Sequence, residues 1–146
     1  MTLEQEVIFY KNMVKKYKFD YLTGMKQRRD FEHETLHKFA SQKFYLTMYD
    51  VVGLHKVNRE RGYSEGDSLI RQVANDINMT DGLWEAYRVG GDEFMAIHFD
   101  QPDSDIKNAT HATVWSGHYE LFSKMTEAVD QMVTDKKSVL GRRRED

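Results

Sequence analysis

The N-terminal segment carries a regular helical pattern. Thr2 and Gln5 have the spacing of a capping box, in which each side chain accepts a hydrogen bond from the other residue's backbone N–H. The apolar residues of the segment recur at alternating steps of four and three: Leu3, Val7, Tyr10, Val14 and Tyr17. This spacing predicts an amphipathic helix. Its apolar seam suits either a short coiled coil with a second copy of the chain or packing against the chain's own domain.

Beyond this helix, the hydrophobic pattern switches between helical and strand-like periods. A second helix is expected from about Lys26 to Ser41. The run Phe44–Val52 is short, apolar, and rich in aromatic and β-branched residues, which is typical of a buried strand. Two helical pieces follow, and the stretch Gly62–Gly66 is expected to separate them.

A β-hairpin is the clearest local signal. Leu83–Val89 and Glu93–Phe99 are strand-like runs joined at Gly90 and Gly91, and paired glycines suit the positive φ angles of a tight turn. The second run is apolar on both faces, so we expect it to be covered on both sides. The elements expected after it are a polar loop at 101–108, a short strand at 111–115 and an amphipathic helix at about 121–133. The pattern predicts an α+β or α/β fold with one sheet.

Composition narrows the class of protein. The chain has 146 residues, 40% of them hydrophobic, which suits one globular domain, and we expect an N-terminal helix at 1–18 and a compact domain at 19–146. No apolar run reaches the roughly 20 residues of a membrane span, and no signal peptide is evident, so a cytoplasmic protein without a membrane partner is expected. A net charge of -3 argues against nucleic-acid binding. With no cysteine, disulfides, thiolate catalysis and cysteine-bound zinc are excluded.

Three acidic residues stand where a sheet can present side chains to a ligand. Asp50 lies near the end of the buried strand, and Asp92 and Glu93 directly follow the paired glycines. Carboxylates gathered at one place repel one another unless a cation joins them. Mg²⁺ prefers one or two carboxylates together with phosphate oxygens. On these residues alone, ordinary solvated turn acids remain the simpler interpretation.

Longer motifs change that interpretation. Arg88–Phe94 (RVGGDEF) resembles the signature of the GGDEF family, the diguanylate cyclases. Asp20–Gly24 (DYLTG), followed by Arg28 and Arg29, resembles the opening motif of that family, and Asp50–Asn58 (DVVGLHKVN) resembles its next segment. The resemblance is strong from Asp20 to about Phe99. Several motifs in one order are specific for the family, and less specific for activity.

The resemblance implies a fold and a reaction. The fold is a polymerase-palm-like α/β sandwich, with a central, mostly antiparallel sheet flanked by helices and the signature on a hairpin. Active members condense two GTP molecules into cyclic di-GMP and release two pyrophosphates. Each of two domains holds one GTP, so the resemblance implies a transient homodimer. The cofactor implied is Mg²⁺ or Mn²⁺.

The resemblance also implies roles for individual residues. Asp50 and Asp92 would bind the metal ions with help from the Val51 carbonyl, and Glu93 would be a further ligand or would deprotonate the 3′-hydroxyl. These acids would form the catalytic set. Asn58 and Asp67 would hydrogen-bond guanine, whose edge carries both donors and acceptors. The residues implied to lie along the phosphates are Gly53, Leu54, His55, Gly90, Gly91, Lys137 and Arg142.

Departures from the family pattern leave the activity open. His55 replaces the expected phosphate-contacting lysine, and Val52 replaces a second aspartate. The Arg-x-x-Asp product-inhibition site would fall at Asp81 and Trp84, neither of which fits, so feedback inhibition there is expected to be absent. Lys137 and Arg142 are one residue farther apart than the lysine and arginine of the family pattern. Between Phe94 and the final helix, the chain is about one helix shorter than is usual in the family.

Alternatives accompany each assignment. Asp50 could instead cap the helix that follows its strand, and Asn58 and Asp67 could be ordinary turn and cap residues. Arg88 and Arg28 are expected to be structural ion-pair or hydrogen-bond partners. An active diguanylate cyclase is favoured over a catalytically silent, nucleotide-responsive binding or dimerisation module, and over a cyclase that makes another nucleotide product. No attached sensor domain is expected from the pattern.

Overall fold

Helices and strands alternate in the computed structural model, which describes residues 1–37, 43–102 and 105–118. The elements are, in chain order, α1 (Leu3–Lys18), β1 (Lys26–Gln27), α2 (Arg28–His37), β2 (Lys43–Val51), α3 (Leu54–Arg61), α4 (Tyr63–Asn78), β3 (Leu83–Arg88), β4 (Glu93–His98) and β5 (Ala109–His118). The helix expected at 121–133 lies outside the described residues, as do Lys137 and Arg142. Within the described ranges, no helix combines the length and apolar character needed to cross a membrane.

The strands form one sheet in the order β1-β3-β4-β2-β5. β3 with β4, β4 with β2, and β2 with β5 pair in antiparallel fashion, whereas β1 runs parallel to β3. The expected fold, a mostly antiparallel α+β sheet with the signature on a hairpin, is confirmed. β5 is longer than the strand predicted at 111–115 because it pairs along the full length of β2.

Both faces of the sheet are covered by apolar side chains. On one face, Phe31 of α2 belongs to a buried cluster with Leu46 and Met95. On the other, Val73 of α4 belongs to a cluster with Phe94. Successive residues of a strand point to opposite faces, so a strand covered on both sides is apolar throughout. This explains why β2 and β4 appear as continuous apolar runs in the sequence.

Helix α1 begins as predicted but is not covered. The Thr2 hydroxyl accepts from the Gln5 N–H at 3.2 Å, and the Gln5 side chain accepts from the Thr2 N–H at 2.8 Å, which completes the capping box. No residue of α1 is buried. Of the two environments considered for its apolar seam, packing against the chain's own domain is therefore wrong for the described structure. Contact with the domain is polar near the helix end, where the Tyr17 carbonyl accepts from Gln27 Nε2 at 3.1 Å and Arg29 at 3.4 Å.

Two helix boundaries differ from the prediction. The second helix begins at Arg28, because Lys26 and Gln27 pair with β3 instead. Pairing with a distant strand is a tertiary interaction that local periodicity does not record. The break between α3 and α4 is confined to Gly62, at φ +91°, whereas Gly66 lies buried inside α4.

The hairpin exists, but its glycines do not have the expected conformation. In the described residues, the glycines with positive φ are Gly24, Gly53, Gly62 and Gly82. The prediction of positive φ at Gly90 and Gly91 is therefore wrong. The N–H groups of Val89 and Gly90 both donate to the Glu93 carbonyl, at 3.0 and 3.3 Å. This longer turn reverses the chain without the mirror-image backbone that a two-residue turn requires.

Candidate functional site

Strand pairing brings the backbone positions of the three predicted acids together. Asp50 lies opposite Glu93 in the antiparallel register of β2 and β4. The Val51 N–H donates to the Asp92 carbonyl at 2.9 Å. Residues directly opposite in such a pair have side chains on the same face of the sheet. Residues some forty positions apart in the sequence thus become neighbours beside the turn.

The acids differ in their access to solvent. Asp50 is 0% exposed, whereas Asp92 and Glu93 are half-buried. The Glu93 side chain lies against Gly90, where an added Cβ would stand 3.4 Å from its carboxyl carbon. Exposure to solvent therefore differs across the site: the acid at the strand is enclosed, and the two acids at the turn are partly accessible.

The donor set is chemically suited to a hard divalent cation. Asp50, Asp92 and Glu93 supply carboxylate oxygens, the ligands that Mg²⁺ prefers, on adjoining backbone positions. Among the described residues, no three aspartate, glutamate, histidine or cysteine side chains converge closely enough to hold a metal ion by themselves. Mg²⁺ is usually held by one or two carboxylates together with substrate phosphates, so the residues fit a site that a nucleotide completes.

Arg88 connects the turn that carries Asp92 to the segment at Asp20 through hydrogen bonds and an ion pair. Its guanidinium donates to both carboxylate oxygens of Asp20, at 3.0 and 3.1 Å, and to the Gly91 carbonyl at 2.8 Å. Only 13% of each of the two charged side chains is exposed. The ion-pair role expected for Arg88 is confirmed. Its hold on the turn was not predicted from the sequence, although both partners lie within the motifs that were recognised.

Asp20 is itself held in a fixed position. Its carboxylate accepts from the Thr23 N–H at 2.8 Å and from the Thr23 hydroxyl at 2.7 Å. Burial alone would raise the pKa of Asp20, but the hydrogen bonds from Thr23 and Arg88 and the charge of Arg88 together lower it. The ionised form is therefore the stable one, and the segment after α1 is tied electrostatically to the hairpin.

Helix α3 begins beside the acids. Gly53 precedes it in the left-handed conformation, at φ +78°, and its carbonyl accepts from the Val57 N–H at 3.0 Å. A side chain is strained at that φ, which explains the glycine. The first N–H groups of a helix lack partners within the helix and attract anions. Leu54 and His55 occupy this first turn, and His55 is exposed.

The α3–α4 hairpin brings Asn58 against Gly66, the residue that precedes Asp67. The Asn58 side chain lies directly over Gly66, where a Cβ would stand 1.7 Å from its Oδ1. That oxygen is buried and has no hydrogen-bond partner among the described residues. Asp67 follows Gly66 and is half-buried. Because Gly66 has no side chain, the Asn58 amide can occupy this position.

The two positions at which the family resemblance would place a product-inhibition site hold Asp81 and Trp84. Asp81 is exposed, and the Trp84 ring stacks on Phe99 with 4.5 Å between ring centroids and 17° between planes. A stacked aromatic pair thus occupies the place of the aspartate in the Arg-x-x-Asp pattern.

Comparison with known proteins identifies the family. A family model described as "Diguanylate cyclase, GGDEF domain" matches residues 17–139. Diguanylate cyclase VdcA of Vibrio cholerae is 35% identical over 82 residues, which cover 54% of this chain and 24% of that protein. Cyclic di-GMP phosphodiesterase PdeB of Shewanella oneidensis is 33% identical over 102 residues, covering 68% of this chain and 12% of that protein.

A solved structure supports the same fold. The S helix-GGDEF-EAL portion of Vibrio cholerae LapD matches with a TM-score of 0.68 at 13% identity, over 93% of this chain and 38% of that one. The chain spans between 12% and 28% of the length of the curated relatives it matches. With signature, sheet order and family match in agreement, the chain belongs to the GGDEF family of diguanylate cyclase domains.

Proposed function

We propose that this domain binds GTP with Mg²⁺ or Mn²⁺ and that two copies condense two GTP molecules into cyclic di-GMP. The observation that carries the proposal is the strand register that sets Asp50 beside Glu93 and Asp92 at the edge of the glycine turn. Relatives in the same family include proteins named diguanylate cyclases, which supports the reaction class.

In this proposal the acids hold the divalent ions. Asp50 and Asp92 supply carboxylate ligands, the Val51 carbonyl assists, and Glu93 is a further ligand or the base that takes the 3′-hydroxyl proton. The ions, when bound, stabilise the charge on the attacking and leaving oxygens. Because Asp50 is enclosed, this part of the site has to open when the ion and nucleotide bind.

The phosphates would lie between the start of α3 and the glycine turn. The free backbone N–H groups at Leu54 and His55 suit phosphate oxygens, and Gly53 carries no side chain to obstruct them. An added Cβ at Gly91 would meet nothing within 4 Å, so that side of the turn has room for a ligand. Lys137 and Arg142 would bind the terminal phosphate.

The guanine base would be recognised between α3 and α4. Asp67 would accept from the N1 and N2 donors of guanine, and the Asn58 amide would donate to an acceptor on the same base. A neighbouring amide and carboxylate match guanine better than adenine, whose corresponding ring nitrogen is an acceptor. The packing of Asn58 on Gly66 supports this specificity because it limits where the amide can point.

The reaction balances as two phosphoryl transfers. In each, the 3′-oxygen of one nucleotide forms a bond to the α-phosphorus of the other, and the bond from that phosphorus to the β-phosphate bridging oxygen breaks. Pyrophosphate leaves, and the hydroxyl proton passes to Glu93 or to solvent. The cyclic product requires two such steps between two nucleotides, which is why two domains must meet. With Asp81 and Trp84 at the inhibition positions, product is not expected to inhibit there.

One incubation tests the proposal. The purified protein is mixed with GTP, and separately with ATP, plus Mg²⁺ or Mn²⁺, and products are identified by mass spectrometry. We expect cyclic di-GMP from GTP, its loss in Asp92→Ala and Asp50→Asn, and full activity in Asp100→Asn, which changes an exposed acid outside the site. Circular dichroism checks that each variant is folded.

Other outcomes would overturn the proposal in distinct ways. GTP binding without turnover would make the domain a nucleotide-responsive module, and an adenine-containing product would make it a different cyclase. Full turnover in Asp50→Asn would remove that residue from the metal site.

A further inference from the structure

Strand β5 places a hydroxyl group on the side of Asp50 that faces away from the hairpin. In the antiparallel register of β2 and β5, Thr110 lies directly opposite Asp50, and Glu93 lies opposite Asp50 on the other side. Residues directly opposite one another in such pairs share a face of the sheet, with Cβ atoms about 4.5–5.5 Å apart. Thr110, Asp50 and Glu93 therefore form one row of side chains across three strands.

The start of β5 is held in this position by its backbone. The Asn108 carbonyl accepts from the Val52 N–H at 2.8 Å, and the Ala109 N–H donates to the Ile106 carbonyl at 3.3 Å. Asn108 has a left-handed backbone, at φ +65°, which asparagine tolerates, and Ile106 is buried in the apolar cluster that includes α4. The place of Thr110 in the row therefore depends on fixed contacts and on burial.

The Thr110 hydroxyl makes a long contact with the backbone. The side chain is half-buried, and its oxygen stands 3.5 Å from the carbonyl oxygen of Asp50. Hydrogen bonds between a hydroxyl and an oxygen are normally about 2.5–3.0 Å long, so this one is weak. The shape that a strand position favours would be supplied equally well by valine. What threonine adds is a donor that a rotation about χ1 can turn toward the acid.

Carboxylates that bind a metal ion depend on such donors. A carboxylate that binds an ion through one oxygen has its other oxygen available as an acceptor, and a donor at that oxygen fixes the orientation of the group. Removing an outer partner of this kind typically lowers metal affinity about 10–100-fold. Asp50 is 0% exposed, so a donor in its own row is better placed for this task than solvent.

We propose that Thr110 is a positioning residue for Asp50, and that its hydroxyl donates to the carboxylate oxygen of Asp50 that faces away from a bound divalent ion. The inference rests on the proposed function, because it takes Asp50 as an ion ligand. The hydroxyl keeps its proton, so no covalent step is added. The site is then built by β5 as well as by β2 and the β3–β4 hairpin.

Substitutions of matched shape test the hydroxyl. Thr110→Val keeps the β-branched form and removes the donor, whereas Thr110→Ser keeps the donor. Binding of Mn²⁺ is measured by electron paramagnetic resonance with a GTP analogue whose α–β bridge is a methylene group, which cannot release pyrophosphate. We expect Thr110→Val to raise the Kd for Mn²⁺ about tenfold and Thr110→Ser to stay within about twofold of the wild type. Wild-type affinity in Thr110→Val, or an equal loss in both variants, would overturn the proposal.

A control variant separates positioning from general destabilisation. Thr80→Val removes a hydroxyl that bonds the Ile77 carbonyl at 2.6 Å and His98 Nε2 at 2.8 Å, at the end of β4 remote from Glu93. It should lower Tm and leave Mn²⁺ affinity unchanged. If it weakened Mn²⁺ binding as much as Thr110→Val does, the effect would be one of stability and the inference would fail.

This inference and the proposed function fail in distinguishable ways. The expected affinities without any cyclic di-GMP production would refute the proposed reaction alone. Product formation by the wild type, with unchanged Mn²⁺ affinity in Thr110→Val, would refute this inference alone. A wild-type protein that binds no Mn²⁺ with the analogue would refute both, because Asp50 would then hold no ion.

Discussion

Replacing Arg88 with glutamine would release the turn that carries the acidic pair. The substitution removes the charge facing Asp20 and the donor to the Gly91 carbonyl. Glutamine is too short and too weakly polar to span both partners. The fold keeps its apolar clusters, because Arg88 belongs to neither.

The expected cost follows from the burial of the pair. Hydrogen bonds to charged groups contribute about 1.5–3 kcal/mol, and breaking a fully buried ion pair costs about 3–5 kcal/mol. This pair retains 13% exposure on each side, and Asp20 keeps its hydrogen bonds from Thr23. We therefore expect Arg88→Gln to lower the free energy of unfolding by about 2–3 kcal/mol.

Urea denaturation at pH 7 measures this loss. Arg28→Gln is the matched control: it removes an equivalent charge from an exposed pair with Glu32, whose side chains are 62% and 59% exposed. That variant should lose no more than about 0.5 kcal/mol. If Arg88→Gln cost as little as the control, the buried link would not stabilise the hairpin and the reasoning would fail. Cyclic di-GMP production should also fall more in Arg88→Gln, because Asp92 gains freedom.

The pH dependence supplies a further check on the same variant. Since the pKa of Asp20 is lowered in the folded protein, its stabilising contribution is complete above the unfolded value of about 3.9. It is lost as the pH falls through the lower folded pKa. The difference in stability between wild type and Arg88→Gln should therefore be constant above about pH 5 and shrink in stronger acid.

Three other substitutions probe the site and the core. Gly66→Ala should raise the GTP concentration needed for half-maximal rate about tenfold or more, because its Cβ would stand 1.7 Å from Asn58 Oδ1 and displace that amide. His55→Lys should strengthen GTP binding several-fold, as measured by calorimetry, because lysine places a full positive charge beside the proposed phosphate position. Burial lowers the pKa of His98, so the neutral ring contributes fully to stability above about pH 6.5 and this contribution is lost in acid. The free energy of unfolding of His98→Gln should therefore fall less than that of the wild type between about pH 7 and 5.

Each of these expectations has its own control. In an Asn58→Ala background the contact with the amide is gone and Leu54 Cδ1, at 3.3 Å, is the remaining close neighbour, so Gly66→Ala should be much less disruptive there than in the wild type; an equal effect in both backgrounds would dispute the contact. No improvement in His55→Lys would mean that another cation already serves the phosphates. For His98, the Thr80 hydroxyl bonds both the Ile77 carbonyl, at 2.6 Å, and His98 Nε2, at 2.8 Å. Since a hydroxyl has one proton, Nε2–H is the donor to Thr80. An unchanged pH profile in His98→Gln would contradict the lowered pKa of His98.

Local patterns in the sequence determined most of the elements. The α1 capping box, the apolar runs of β2 and β4, and the existence of the hairpin follow from short-range rules of capping, periodicity and burial. The RVGGDEF string at Arg88–Phe94 determined the family, since a motif is a property of the chain order. The places of Asp50 and Asp92 beside a strand end and a turn were likewise predicted from the sequence, whereas the metal-binding role proposed for them came from the family resemblance.

Only the tertiary structure decided how these pieces meet. Lys26 pairs with Tyr87, and Arg88 forms an ion pair with Asp20; both interactions join residues far apart in sequence, and no local periodicity encodes such partners. The same holds for the exposure of the α1 seam, because an amphipathic helix looks alike whether its own domain or another molecule covers it. Local free energies select the elements, whereas their register and neighbours depend on the burial that the whole chain achieves together.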